Sequence, residues 1–219
     1  MNLFWVSIFY TIKEEKFIMK LKKIASLMLA GVMAISMLAG CSNGNGGNDG
    51  ENVVVPTGVV ASVISKLDED TTDRVTFTAD AKMEDALEAY AKSLGDWATN
   101  SSSINATADT FKKLAGLQDA NMTLSFSDLE DSETYVAIDT LGDSKAGYSE
   151  EAAAAEIAAA MDKLLATGNW YYEDYNDGKD YYTFEHTGKV AVVKVENVNG
   201  QSNYIYAFTV TRTPTKVSK

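Results

Sequence analysis

Few side chains in this chain of 219 residues could carry chemistry: there is one histidine, His186, and one cysteine, Cys41. A nucleophilic mechanism would need a base beside its nucleophile, and no G-x-S-x-G stretch or metal-spaced histidine pair accompanies His186. The run Asp174-Tyr175-Asn176-Asp177-Gly178-Lys179-Asp180 has the outline of a calcium loop, with Glu185 where the twelfth ligand would stand. The match fails at its centre, because glycine takes the fifth position and lysine the sixth, where a ligand and a glycine are required. A polar hairpin tip is expected there, with no metal and no other cofactor. The acidic clusters Asp68-Glu69-Asp70 and Asp128, Glu130, Asp131, Glu133 read as solvated loops. Two-carboxylate hydrolysis stays open as an alternative, since such pairs can be far apart in sequence. The remaining candidates are Trp170, Tyr172 and Tyr181. Flat rings on a sheet can bind a sugar or a partner's apolar surface, and they can equally serve as ordinary cross-strand pairs.

The only cysteine ends the tetrapeptide Leu38-Ala39-Gly40-Cys41. Upstream lie a basic start (Lys20, Lys22, Lys23) and an apolar stretch over 24–38, the parts of a secretory signal. That stretch is shorter than the ~20 residues of a spanning helix. Residues 19–41 resemble a bacterial lipoprotein signal peptide with its lipobox. The resemblance implies a diacylglyceryl group on the Cys41 thiol, cleavage before Cys41, and a membrane partner reached through that anchor. It also implies a location on the extracytoplasmic face of the cell membrane. Ser42 replaces the aspartate that marks inner-membrane retention in the family's two-membrane bacteria, which points to a single-membrane bacterium.

Residues 1–18 fit a signal poorly, because Glu14 and Glu15 interrupt the region that should be basic. Lys13-Glu14-Glu15 can be encoded by a purine run containing AGGAGG, a ribosome-binding sequence, so translation is expected to start at Met19. Residues 1–18 are then an untranslated extension, 19–40 the signal peptide, 41–57 a tether and 58–219 one folded domain. The tether is rich in Gly and Asn, and its end-to-end distance is expected to be ~20–25 Å.

The whole chain has a formal charge of −12. Residues 1–40 hold five lysines and two glutamates, which leaves 14 basic and 29 acidic residues in the exported part, a charge of −15. Nucleic acid and anionic lipid surfaces require basic patches, so neither is expected as a partner. A lipidated Cys41 leaves no thiol for a disulfide, and stability must come from the core.

The elements that must position the candidate residues are read from periodicity and caps. A helix is expected over 59–67, and a strand over 74–79 with Val75 and Phe77 on one side. Asp80 can cap a helix with a core stripe of Met83, Leu87, Tyr90, Leu94 and Trp97. Residues 99–105 read as a polar loop and 107–117 as a short helix presenting Phe111 and Leu114. Met122, Leu124 and Phe126 alternate as a strand, expected to form a hairpin with a strand over 135–141. Ser149 caps an alanine-rich helix ended by Gly168, with Ile157, Met161, Leu164 and Leu165 as its larger contacts.

Three turn signals, Asp177-Gly178, Thr187-Gly188 and Asn199-Gly200, divide the remainder into a four-stranded meander. With two-residue turns, one face would collect Tyr171, Tyr175, Tyr182, Phe184, Ala191, Val193, Val195, Tyr204, Tyr206, Phe208 and Val210 against the alanine-rich helix. The other, mixed face would carry Trp170, Tyr172, Asp174, Tyr181, Thr183, Glu185, Val190, Val192, Lys194, Ile205, Ala207 and Thr209. The expectation is therefore an α+β domain, an antiparallel sheet with a C-terminal four-stranded meander packed on one face by two main helices. The function expected of it is non-catalytic binding of a glycan, peptide or envelope partner. The alternatives are a small cell-envelope hydrolase and a structural subunit of an envelope complex.

Overall fold

The computed structural model describes residues 58–167, 170–176, 180–197 and 199–217. The signal peptide, the lipobox with Cys41, the tether, Gly168 and the Asp177-Gly178 turn lie outside the described residues. Helix α1 (Gly58–Lys66) and the short α2 (Glu69–Arg74) lead into β1 (Thr76–Ala79) and α3 (Ala81–Leu94). A 3₁₀ turn (Gly95–Thr99) precedes α4 (Ser101–Ala115), and β2 (Glu133–Thr140) and α5 (Glu150–Leu165) follow. The chain ends with β3 (Asp174–Asn176), β4 (Tyr181–Glu196) and β5 (Ser202–Val217). The domain is α+β, with a mixed, mostly antiparallel sheet.

Local chemistry explains the helix starts. Asp80, Asn100 and Ser149 each accept a backbone N–H at the third residue on: Met83, Ser103 and Ala152, at 2.7, 2.9 and 3.2 Å. The Asn100 cap starts α4 at Ser101, inside the stretch 99–105 that reads as a loop. Ile104, Ala108, Phe111 and Ala115 then form its buried stripe, and Leu114 is exposed. Met83, Leu87 and Tyr90 are core as expected, but Trp97 is exposed. Gly95, at φ 53°, ends α3, and the tighter 3₁₀ turn breaks the spacing that would have kept Trp97 on the stripe. Helix α5 is capped at its C-terminus at Ala166.

The sheet order is β1-β4-β5-β2, and β3 pairs with the start of β4. Because β5 occupies one side of β4 along its length, β1 and β3 share the other, β3 at residues 181–183 and β1, in parallel, at 187–190. Thr187-Gly188, which reads as a turn, is the middle of a single 16-residue strand. Gly188 is required there because the Phe77 ring lies over it. The expected four-stranded meander is therefore the three strands β3, β4 and β5. The Asn199-Gly200 turn exists, within a five-residue loop over 197–201. The Asn197 side-chain carbonyl accepts from the N–H groups of Asn199 and Gln201 at 3.0 and 2.9 Å and fixes that length. Relative to a two-residue turn, the pairing moves by one residue, so β4 is turned over against β5.

Both faces of the sheet are consequently covered. Val190, Val192, Tyr204, Tyr206, Phe208 and Val210 share one core with α1 and α5, where Ala153, Ala154 and Ala158 let α5 pack closely. Ala191, Ile205, Ala207, Val136 and Ile138 share a second core with α3 and α4. The helices thus pack on two faces where the sequence suggests one. Residues 203–210 of β5 are all buried, as befits a strand enclosed on both sides.

Residues 122–126 do not form the expected strand, and Asn121 makes only an isolated parallel bridge to Tyr135. Strand β2 pairs with β5 instead. Side chains hold the loop that follows: the N–H groups of Ser127 and Asp128 donate to Glu133 Oε2 at 2.6 and 2.7 Å.

Candidate functional site: a groove on the open edge of β4

The three aromatic candidates do not share a surface. Trp170 is 3% exposed, and its indole N–H donates to the Leu165 carbonyl at the end of α5, at 2.9 Å. That acceptor lets the ring enter the core, where it meets Phe126, Tyr171 and His186 edge-on. Tyr172 is 49% exposed, and Tyr181 is half-buried with its hydroxyl donating to Asp174 Oδ2 at 3.2 Å. The aromatic platform read from the sequence is thus split, with its largest ring inside the protein.

His186 is likewise buried, and it lies mid-strand opposite Arg212 because Thr187-Gly188, beside it, is not a turn. Burial first, and then the Arg212 charge, lower its pKa to about 4, so the imidazole is neutral near pH 7. Arg212 is 2% exposed, sits over the rings of Phe126 and Phe184, and donates to Glu133 Oε2 at 3.0 Å. Its guanidinium also bonds the carbonyls of Phe126 and Asp128. This cluster ties the 126–133 loop to the sheet. His186 and Arg212 themselves are closed to solvent, and their contacts are structural.

The accessible site lies elsewhere. Strand β1 is only four residues long, because Asp80 both ends it and caps α3. The Asp80 N–H still bonds the Val190 carbonyl at 3.3 Å, and its carboxylate pairs with Lys189 at 2.6 Å. Burial opposes ionisation of Asp80, but the Lys189 hydrogen bond and the Met83 N–H overcome it and hold the carboxyl below its usual range. Beyond Val190, β4 continues to Glu196 with no neighbouring strand on this side among the described residues.

A groove of about 580 Å³ runs along this open edge, within the range typical of ligand sites. Val59 and Val60 of α1 form one wall, together with Val192 and Tyr204. The other wall is α3, with Glu84, Glu88, Ala91 and Lys92, continued by Asp96 and backed by Val193 and Val195. Glu150, Lys194 and Glu196 stand at its margin, so five carboxylates face two ammonium groups. Glu88 is paired with Lys92 at 2.7 Å. Burial and the neighbouring charges of Asp85 and Glu88 raise the pKa of Glu84, which marks a carboxylate short of positive partners.

Sequence reasoning missed this groove because it arises from a mismatch of lengths, a four-residue β1 beside a 16-residue β4. The one available signal was the helix cap Asp80 immediately after a short apolar strand. In comparisons with known proteins, no family model, no curated protein and no solved structure matched the chain.

Proposed function

We propose that the protein is a lipid-anchored, extracytoplasmic binding domain that presents the groove on β4 to a ligand or partner near the membrane surface. The observation that carries the binding role is the groove itself: an apolar wall, an acidic wall and, among the described residues, an edge of β4 that no strand covers, all in one cleft. The anchor rests on Leu38-Ala39-Gly40-Cys41 behind a basic and apolar leader. Two acyl chains hold a protein on a membrane stably, so Cys41→Ser should move it from the membrane to the soluble fraction. The full chain in detergent, applied to glycan and peptide arrays, should capture ligands that its Val193→Trp variant, which fills the groove, does not. If every captured ligand binds the variant equally well, the groove is not the site and the reading falls.

A second reading, a cell-envelope hydrolase, draws on Glu84, whose raised pKa suits an acid, beside Glu88, which is paired with Lys92. Both carboxylates project from one wall of the groove, however, whereas glycosidic pairs flank the scissile bond from opposite sides. That arrangement favours binding.

A further inference from the structure

The direction of the backbone along the groove identifies a ligand class, an inference that rests on the binding role proposed above. Within a strand, the N–H and C=O of one residue point to the same side, and successive residues alternate. The carbonyls of Gly188 and Val190 face β1, since they accept from the Thr78 hydroxyl and the Asp80 N–H. At the other end, the Asn197 N–H donates across the hairpin to Gln201. The even-numbered residues therefore face outward, and Val192, Lys194 and Glu196 present their N–H and C=O groups to the groove. No described residue takes these groups up by strand pairing.

A strand laid on this edge would continue the line of β1, with side chains alternating between the two faces of the sheet. Those on the face of Val192 would meet Val59, Val60 and the Tyr204 ring, with Glu150, Lys194 and Glu196 at the margin. Those on the face of Val193 and Val195 would meet Glu84 and Glu88, with Asp96 beyond them. Lys92, the cation on that wall, is already engaged by Glu88. We propose that the groove takes an extended peptide with alternating apolar and basic side chains, added as a strand to the edge of β4. Backbone pairing supplies the affinity, and the two unlike walls fix both register and composition. The open edge matches a ligand segment of about five residues, ~16 Å long.

The test uses the full chain in detergent and fluorescence anisotropy with labelled hexapeptides. Alternating (Val-Lys)₃ should bind about tenfold more tightly than its isomer Val₃Lys₃, which carries the same charge without the alternation. Lys194→Ala and Lys194→Pro both remove the ammonium, but only proline removes the outward N–H. Because that N–H makes no bond to β5, the β4–β5 ladder survives. Lys194→Pro should therefore melt close to Lys194→Ala yet bind (Val-Lys)₃ about tenfold more weakly. Glu84→Gln with Glu88→Gln should weaken binding and flatten its salt dependence.

Equal binding of the two isomers, or equal binding by the two Lys194 variants, overturns the proposal. So does tighter binding of a peptide matching residues 51–57 of this chain, which would make the groove the seat of its own tether. If (Val-Lys)₃ does not bind while array ligands are still lost in Val193→Trp, strand addition fails and the binding role stands. If neither is seen, both fail.

Discussion

Phe77 rests on Gly188 so closely that a Cβ at residue 188 would lie 2.3 Å from two of its ring carbons. The two residues are register partners in the parallel pairing of β1 with β4, and the ring is also packed edge-on against Phe208 at 6.3 Å. Gly188→Ala must displace the ring, which is expected to cost ~1–3 kcal/mol as an overpacked site. Adding Phe77→Leu should recover much of that loss, so the double mutant would be less destabilised than the sum of the single variants in urea unfolding.

The same glycine shows where the sequence misleads. Thr187-Gly188 has the composition of a turn, and the residue that explains it lies 111 positions away in β1. Asn199-Gly200 was legible as a turn, but the length of its loop depends on the Asn197 side chain, and one residue of difference inverts β4. Caps and helical stripes were legible because they are local: Asp80 and Ser149, and Met83, Leu87 and Tyr90. The burial of Trp170 was not, since it depends on a carbonyl at the end of α5 and on Phe126 from a loop that reads as a strand. Of the candidate site, only Asp80 carried a signal, and the groove it opens is a tertiary property.

Trp170 and Tyr172 should therefore behave differently when truncated. Trp170→Ala removes a buried ring and leaves the Leu165 carbonyl without its indole donor, an expected loss of ~3–5 kcal/mol. Tyr172→Ala, at an exposed site, should stay within ~0.5 kcal/mol of the parent. Equilibrium denaturation of both variants separates these outcomes, and a neutral Trp170→Ala would contradict the burial described above.

His186 predicts an acid-sensitive core. Its pKa is depressed from 6.5 in the unfolded chain to about 4 in the fold, so the unfolded state binds the proton first as the pH falls. The stability contributed by the neutral imidazole is complete above about pH 6.5 and is lost progressively down to about pH 4. Between pH 7.5 and pH 5 the loss should be about 2 kcal/mol. His186→Phe has no proton to bind, and its unfolding free energy should fall by correspondingly less over the same interval in urea titrations.

Arg212 is buried and its partner Glu133 is partly exposed, so the two halves of the pair are not interchangeable. Arg212→Leu removes the cation from Glu133 and from the carbonyls of Phe126 and Asp128, while Glu133 keeps some solvent and the N–H groups of Ser127 and Asp128, an expected loss of about 1–3 kcal/mol. The damage should centre on the 126–133 loop. Limited proteolysis at residues 127–132 would report it, with cleavage appearing in the variant under conditions where the parent chain is intact.

The short β1 has a consequence for the order of assembly. Strands β4 and β5 are neighbours in sequence and can zip from the Asn197 loop, whereas Thr78 must find Gly188 across a separation of 110 residues. Docking β1 is also what carries α1 and α3 to either side of the β4 edge. The cleft is therefore among the last features a newly made chain completes, and residues 187–190 of β4 stay bare until then. While the chain folds, docking of β1 and misassembly with another chain would compete for the same strand, and the delay between zipping and docking sets how long that competition lasts.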